Sequence, residues 1–260
     1  MMHRRPSAIL LSLLIAFAAA CGANRSTMPP GTAQADEFLF KRGQEELKER
    51  HWAAAREYFR QIVDNYPQSP YRPDAKLAVG DTYIGEDTSE SLVLAANEYR
   101  EFLTFYPTNA RADYAQYRLA VAYAEQMLAP DRDQSPTRDV IKELQLFIDR
   151  YPNSSLMPDV RKLLREAKDR LSEASFLVGR HYFRVRWDVG AQDRFKEVLK
   201  NDPEYTRRDA VYYYLAESIL RSGKPPESTA EALTYYERLL KEFEKSEYLD
   251  DAQKRIAELK

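Results

Sequence analysis

The chain has 260 residues, with 39 Lys and Arg against 41 Asp and Glu, a net charge of −2 that becomes −4 without Arg4 and Arg5 of the leading segment. Its 44% hydrophobic content and only 8 Gly supply one or two helical modules with ample core and exclude a disordered chain. A nucleic-acid binder would need a basic face, and this composition gives none.

Residues 1–20 read as a secretory signal. His3, Arg4 and Arg5 make a positive start, and Ala8 to Phe17 form an apolar core too short to span a bilayer. Ala18, Ala19 and Ala20 precede Cys21, the single cysteine of the chain. Small residues before a cysteine at the end of such a core resemble the bacterial lipobox, with alanine where leucine is usual three positions before the cysteine. The resemblance implies diacylation of Cys21, cleavage before it and N-acylation of the new terminus. Several acyl chains give stable anchoring where one would be marginal. Gly22 after the cysteine resembles lipoproteins sorted to the outer membrane. Residues 21–35, small, polar and Pro-containing, read as a flexible tether.

The folded part is organised by a repeat. Gly43, Ala55, Phe59 and Pro67 return as Gly179, Ala191, Phe195 and Pro203 with the same spacing. Ala95, Tyr99 and Pro107 keep the last two gaps. So do Val140, Leu144 and Pro152, and Ala232, Tyr236 and Glu244, where the proline is lost. Such spacing is the signature of stacked helix pairs. Small residues let two antiparallel helices approach, an aromatic one turn on fills the space, and the proline stops the second helix. The expected fold is all-α: a right-handed tetratricopeptide solenoid of five helix pairs with a C-terminal capping helix.

In chain order, unit one pairs Asp36–Arg50 with Trp52–Tyr66, directing Leu47, Trp52, Phe59 and Ile62 inward. Unit two carries Leu77, Gly80 and Tyr83, then an acidic turn at Gly85–Ser89, then Leu94, Ala95, Tyr99 and Phe102. Unit three pairs Ala110–Met127 with Val140–Arg150 across the polar connection Ala129–Pro136. Ser154 or Ser155 then reads as an N-cap. From there Val160, Leu163, Leu164, Ala167, Leu171, Phe176 and Leu177 run at helical spacing without a breaker. One helix of about 28 residues would cap unit three and open unit four. The exported body thus divides into residues 36–153, units one to three, and residues 154–260, units four and five with a final cap at Tyr248–Leu259.

Catalytic constellations are scarce. His51 and His181 are far apart and have no cysteine neighbour, and no phosphate-binding, nucleophile-elbow or zincin motif is present. Asp131-Arg132-Asp133 supplies too few oxygens for calcium and reads as a solvated loop or contact surface. Of Tyr212, Tyr213, Tyr214, Tyr235 and Tyr236, helical spacing sends some to the core and the rest to a groove. No cofactor is expected.

Several matches in order resemble the BamD family of outer-membrane assembly lipoproteins. They are Cys21; Tyr66-Pro67 with Ser69-Pro70-Tyr71; Pro107-Thr108 with Asp113-Tyr114 and Tyr117; Asp131-Arg132-Asp133; Arg150 to Ser154; and Lys168-Asp169-Arg170-Leu171 on the long helix. The resemblance implies a non-enzymatic subunit of the β-barrel assembly machinery, lipid-anchored to the outer membrane and facing the periplasm. Its N-terminal repeats would receive unfolded outer-membrane protein clients. Its C-terminal repeats would dock the POTRA region of a BamA-type β-barrel protein, alongside other assembly-complex lipoproteins. Arg194 matches an arginine that the family places at the docking surface. The chain departs from the family at Asn201-Asp202-Pro203, where a tyrosine is usual, and at the fifth unit, which lacks its proline. The alternative is a repeat lipoprotein of a Tol-Pal, cell-division or pilus-assembly system.

Overall fold

Gly43 has no side chain where α1 (Ala35–Lys48) crosses α2 (Trp52–Asn65), and the Phe59 ring fills the space: a Cβ on Gly43 would lie 2.7 Å from it. The same close approach recurs between α3 (Arg72–Glu86) and α4 (Ser89–Phe105), where Gly80 lies under Tyr99. It recurs again between α7 (Met157–Arg184) and α8 (Asp188–Asn201), where Gly179 lies under Phe195. The remaining helices are α5 (Ala112–Ala124), α6 (Ser135–Arg150), α9 (Arg208–Ser222), α10 (Glu227–Glu242) and α11 (Leu249–Leu259). The computed structural model describes residues 34–260, and each of these helices packs chiefly on its neighbours in sequence. The fold is all-α, five consecutive helix pairs closed by α11. The signal, Cys21 and nearly all of the tether lie outside the described residues.

The core is a row of three apolar clusters. Phe59, Ile62, Leu77, Tyr99 and Phe102 fill the first, on α1 to α5. Ala120, Val140, Leu144, Phe147, Val160 and Ala167 fill the second, between α5, α6 and the first half of α7. Phe176, Phe195, Tyr212, Leu215 and Tyr236 lie in the third, on α7 to α11. The 28-residue α7 therefore belongs to two cores, its first half to one and its second half to the other.

Each pair meets the next through the same turn. The amide of Ser69 donates to the Tyr66 carbonyl, Asn109 to Tyr106, Ser154 to Tyr151 and Tyr205 to Asp202, at 3.0–3.1 Å. The Ser69, Asn109, Ser154 and Ser246 side chains each accept the amide two residues on, at 2.8–3.2 Å. Such side-chain turns replace a backbone partner that the helix end lacks. Ser246 does this without a preceding proline, so the fifth unit keeps the turn although Glu244 stands in the proline position. The Ser154 and Ser246 hydroxyls also donate at 2.6 Å to Asp113 and Asp209, near the start of the preceding helix of each unit.

Three local expectations change. Ser154 is this turn residue and not an N-cap; α7 starts at Met157 after Leu156, with Pro158 in its first turn, where its missing N–H costs nothing. The second helix of unit three begins at Ser135 rather than Val140, because Pro136 also sits in a first turn. Leu94 faces outward at 37% exposure, while Leu92 one side of it and Ala95, Ala96 on the other are buried.

Candidate partner-binding surface

Units one and four are built on one frame. Arg50 and Arg186 both take positive φ, 61° and 65°, at the turn between their helices. On either side of that turn, His51 donates its amide to Glu46 and Trp187 donates its amide to Tyr182, both at 2.9 Å. Buried Ala55 and Phe59 correspond to buried Ala191 and Phe195. Even the contacts to the next helix correspond. Arg56 reaches Thr82 at 3.3 Å and Glu86 at 2.5 Å, while Gln192 reaches the Ser218 carbonyl at 3.0 Å and Ser222 at 2.7 Å.

The outer faces differ. In unit one, Arg42 bonds Glu46 at 3.2 Å, His51 Nδ1 donates to Glu46 at 2.9 Å, and Arg42 stands 5.9 Å from the Tyr58 ring. That face is polar and satisfied from within. The corresponding positions in unit four hold Val178, Tyr182, Trp187 and Arg194. Val178 and Tyr182 share a face of α7 one turn apart. Tyr182 meets Trp187 at a ring distance of 4.4 Å, and Trp187 lies over Gly190, where a Cβ would approach it to 2.7 Å. Arg194 follows Gly190 by one turn of α8, and its Cβ would lie 3.2 Å from a Cβ on Gly179. Trp187 is 55% exposed, with Val185 and Val189 beside it also exposed. Among the described residues Arg194 is held only by Glu197 on its own helix, at 2.8 Å. A surface pair of this kind contributes little to stability, so the guanidinium is free to exchange partners. An aromatic anchor beside an arginine is the composition of an interface centre.

The N-terminal units present a different surface. Arg56 stacks 4.1 Å from the Tyr83 ring, Arg60 donates to the Tyr83 hydroxyl at 2.7 Å, and Lys76 bridges Glu98 and Glu101 at 2.5 and 2.6 Å. It is a polar and aromatic face cross-braced over α2, α3 and α4. Nearby, Tyr99 and Tyr114 both donate to Asp81, at 2.6 and 2.8 Å, with Arg118 at 3.2 Å. Tyr236 repeats this arrangement with Glu217 and Arg255, at 2.6 and 2.7 Å. Burial, reinforced by the neighbouring carboxylate, raises the Tyr99 and Tyr236 phenols and keeps both as donors.

The departure at Asn201-Asp202-Pro203 has a structural role that the sequence alone did not give. Asp202 occupies the place of Tyr66, Tyr106 and Tyr151, and it accepts both guanidinium nitrogens of Arg165 and the Ser172 hydroxyl. Both donors are on α7, so the end of α8 is tied to the middle of the long helix. Burial pushes the Asp202 carboxyl up, but the bonds from Arg165 and Ser172 outweigh it and hold the group below its ordinary value. Tyr205 supplies the missing aromatic, wholly buried, with its hydroxyl on Glu173.

The tyrosine run divides as its spacing predicts: Tyr212 and Tyr236 are fully buried, while Tyr213, Tyr214 and Tyr235 are partly buried, the first two against each other and Tyr248, the third against Tyr212. Asp133 closes its own loop by accepting from the Ser135 amide and hydroxyl, at 3.1 and 2.9 Å. Its hydrogen bonds to Ser135 lower the carboxyl. Among the described residues no group of His, Cys, Asp and Glu could hold a metal ion, and no helix is long and apolar enough to cross a membrane. The features that sequence reasoning missed are the exposed Val185, Trp187 and Val189. Their signal was a run of large apolar residues at a helix–helix turn, where polar ones are usual.

Residues 32–218 match the family described as YfiO, outer membrane lipoprotein. The outer membrane protein assembly factor BamD of Caulobacter vibrioides is 27% identical over 222 residues, 84% of this chain and 72% of that protein. BamD of Neisseria meningitidis is 22% identical over 233 residues, 84% of this chain and 85% of that one. A solved TPR2AB-domain complex of yeast Sti1 overlays with a TM-score of 0.47 at 14% identity, covering 79% of this chain and 76% of its own. The family match takes in α1 to α8 and most of α9, and with them the long helix and the face around Arg194: the chain belongs to the BamD (YfiO) family of outer membrane lipoproteins.

Proposed function

We propose that this chain couples the capture of unfolded outer-membrane proteins to a BamA-type β-barrel protein, as a subunit lipidated at Cys21 and facing the periplasm. It is a non-enzymatic outer-membrane protein assembly factor and works as part of that machinery. The division of labour follows the two groups. Residues 154–260, with Arg194 at their centre, dock the POTRA region, and residues 36–153 offer their polar and aromatic face to the client. Other assembly lipoproteins join the same complex.

One observation carries the docking assignment. Of two units with the same frame, among the described residues only the fourth leaves an apolar and aromatic face uncovered next to an arginine without a partner on another element. Exposed apolar residues that cluster beside a polar rim mark a protein contact, whereas single ones such as Phe105 need no such explanation. The test is Arg194→Glu in the full chain, followed by purification from detergent-solubilised envelopes. Loss of a POTRA-bearing β-barrel protein from the purified material, with an unchanged melting temperature, supports the assignment. Undiminished co-purification removes Arg194 from the docking surface. Cys21→Ser should move the protein from the membrane fraction to the soluble one, since a tether without acyl chains has nothing to hold it there.

A further inference from the structure

A second recess lies at the joint between the two repeat groups. It is a cleft of about 690 Å³ between the Ala129–Asp133 loop, the second half of α7 and α9. Leu177, Phe183 and Tyr214 give it an apolar side, Arg180 and Arg184 a cationic one with His181 between them, and Asp131 stands at its edge. None of these residues belongs to the Val178–Arg194 face.

The cleft is held open by bonds that do not involve its cationic wall. Gln134, itself buried, donates to the Ala129 and Arg132 carbonyls at 2.8 and 3.1 Å, and Arg170 of α7 donates to the Leu128 carbonyl at 2.6 Å. Both fix the loop, the second against the long helix. On the far side, Phe183 and Tyr214 meet edge to face at 5.2 Å, and Arg221 stacks 3.5 Å from the Phe183 ring while its Nε donates to Asp188 at 2.8 Å. The aromatic shelf is therefore fixed in advance, which lowers the cost of ordering it on binding.

The charges on the wall are unmatched. Most arginines near this joint answer a carboxylate: Arg165 to Asp202, Arg207 to Glu173, Arg221 to Asp188. Arg180 and Arg184 have no carboxylate oxygen within 4.0 Å among the described residues, and Arg184 donates only to Nδ1 of His181, at 3.1 Å. In a chain with net negative charge, two unpaired guanidiniums one turn apart over an aromatic shelf form a local anion site with an apolar complement.

We infer that this cleft binds an acidic peptide segment carrying an aromatic side chain. The guanidiniums of Arg180 and Arg184 take its carboxylates, and Leu177, Phe183 and Tyr214 take the ring. Asp131 selects for peptide. An extended peptide offers backbone N–H groups that Asp131 can accept from, which a free phosphate dianion lacks. The site shares no residue with the Arg194 face, and it stands where both repeat groups can contact a single ligand.

The experiment uses the full chain in detergent and a fluorescein-labelled peptide with two phenylalanines set among glutamates, followed by fluorescence polarisation. Saturable binding is expected, weakening at least about tenfold in the Arg180→Gln, Arg184→Gln double variant, since each loses a charge-assisted contact. It should persist in Arg161→Gln, a change at an exposed arginine elsewhere on α7, and fall when the phenylalanines are replaced by alanine. Both variants alter exposed side chains only, and an unchanged thermal melt confirms folding. Equal affinity in the double variant overturns the site. Equal loss in Arg161→Gln, or indifference to the phenylalanines, also overturns it, because either means general electrostatic attraction. Binding to phosphatidylglycerol vesicles that the double variant abolishes, without peptide binding, assigns the cleft to a lipid headgroup and overturns the proposal. None of these readouts depends on a β-barrel partner, so failure here leaves the docking assignment standing, and the reverse.

Discussion

The first and fourth units share a turn at Arg50 and Arg186, a glycine under a phenylalanine, and a contact pattern to the following helix, yet they leave different surfaces to solvent. Unit one satisfies its outer face with Arg42, Glu46 and His51. Unit four places Val178, Tyr182 and Trp187 there and leaves Arg194 lightly held. The contrast shows that the frame and the surface answer to different residues. The frame needs only small residues and one ring at fixed spacing, so the positions between them can change from polar to apolar without disturbing it. Contact with the next helix is similarly interchangeable: Trp52 lies over Gly85 in unit one, and the Asp188–Arg221 ion pair stands in that place in unit four.

The comparison can be broken most forcefully at its shared core. Phe59→Ala and Phe195→Ala should each cost about 3–5 kcal/mol, read from denaturant unfolding, because both rings are wholly buried against a glycine. Unequal losses would mean that the two frames are not equivalent. Asp202→Asn comes next, at about 1–3 kcal/mol, since it removes the charge that faces Arg165 and turns one of the two accepting oxygens into an NH2 donor set against the donors of Arg165 and Ser172. Among the described residues, unit one has no counterpart to this bond. The sign with pH follows from the lowered carboxyl. The Asp202 contribution is fully present above the ordinary carboxylate value of 3.8 and is lost as pH falls through the lower folded value, so the Asn variant should lose that part of the acid sensitivity.

Smaller effects test the tyrosine units against the phenylalanine ones. Tyr99→Phe and Tyr236→Phe should each cost about 1 kcal/mol, because Asp81 keeps Tyr114 and Arg118, and Glu217 keeps Arg255. The smallest change in stability is expected from Trp187→His, which gives unit four the residue that unit one has at His51. Thermal melting should show a loss below about 1 kcal/mol, while recovery of the β-barrel partner should fall. Stable protein with full recovery would place the docking surface elsewhere.

Much of the architecture was legible because helix crossings constrain residue size at regular intervals. Gly43, Ala55 and Phe59, and their copies at Gly179, Ala191 and Phe195, announce the pairs, and the unbroken pattern from Val160 to Leu177 announces α7. The turn residues were harder to read. Ser154 looks like an N-cap because a serine before a helix can bond either the turn or the first helical amides, and only the position of Leu156 decides between them. Asp202 was visible as a departure, but its partners Arg165 and Ser172 lie a whole helix away in sequence. The surface around Trp187 was obscured for a different reason. An apolar residue at the turn inside a helix pair can pack under the neighbouring pair or stay exposed, and only the placement of that pair decides which.

The single α7 helix that serves two cores makes the relation between the repeat groups a matter of phase. A helix advances about 100° and 1.5 Å per residue, so one residue inserted between Ala167 and Phe176 would swing one group about the axis by more than a quarter turn relative to the other, and about seven residues would nearly restore their facing. A linker of coil would absorb such insertions without consequence. Here the azimuth between the polar face of the first units and the Trp187 face of the fourth is set by the number of residues in one helix, so any ligand at the joint would bear on both.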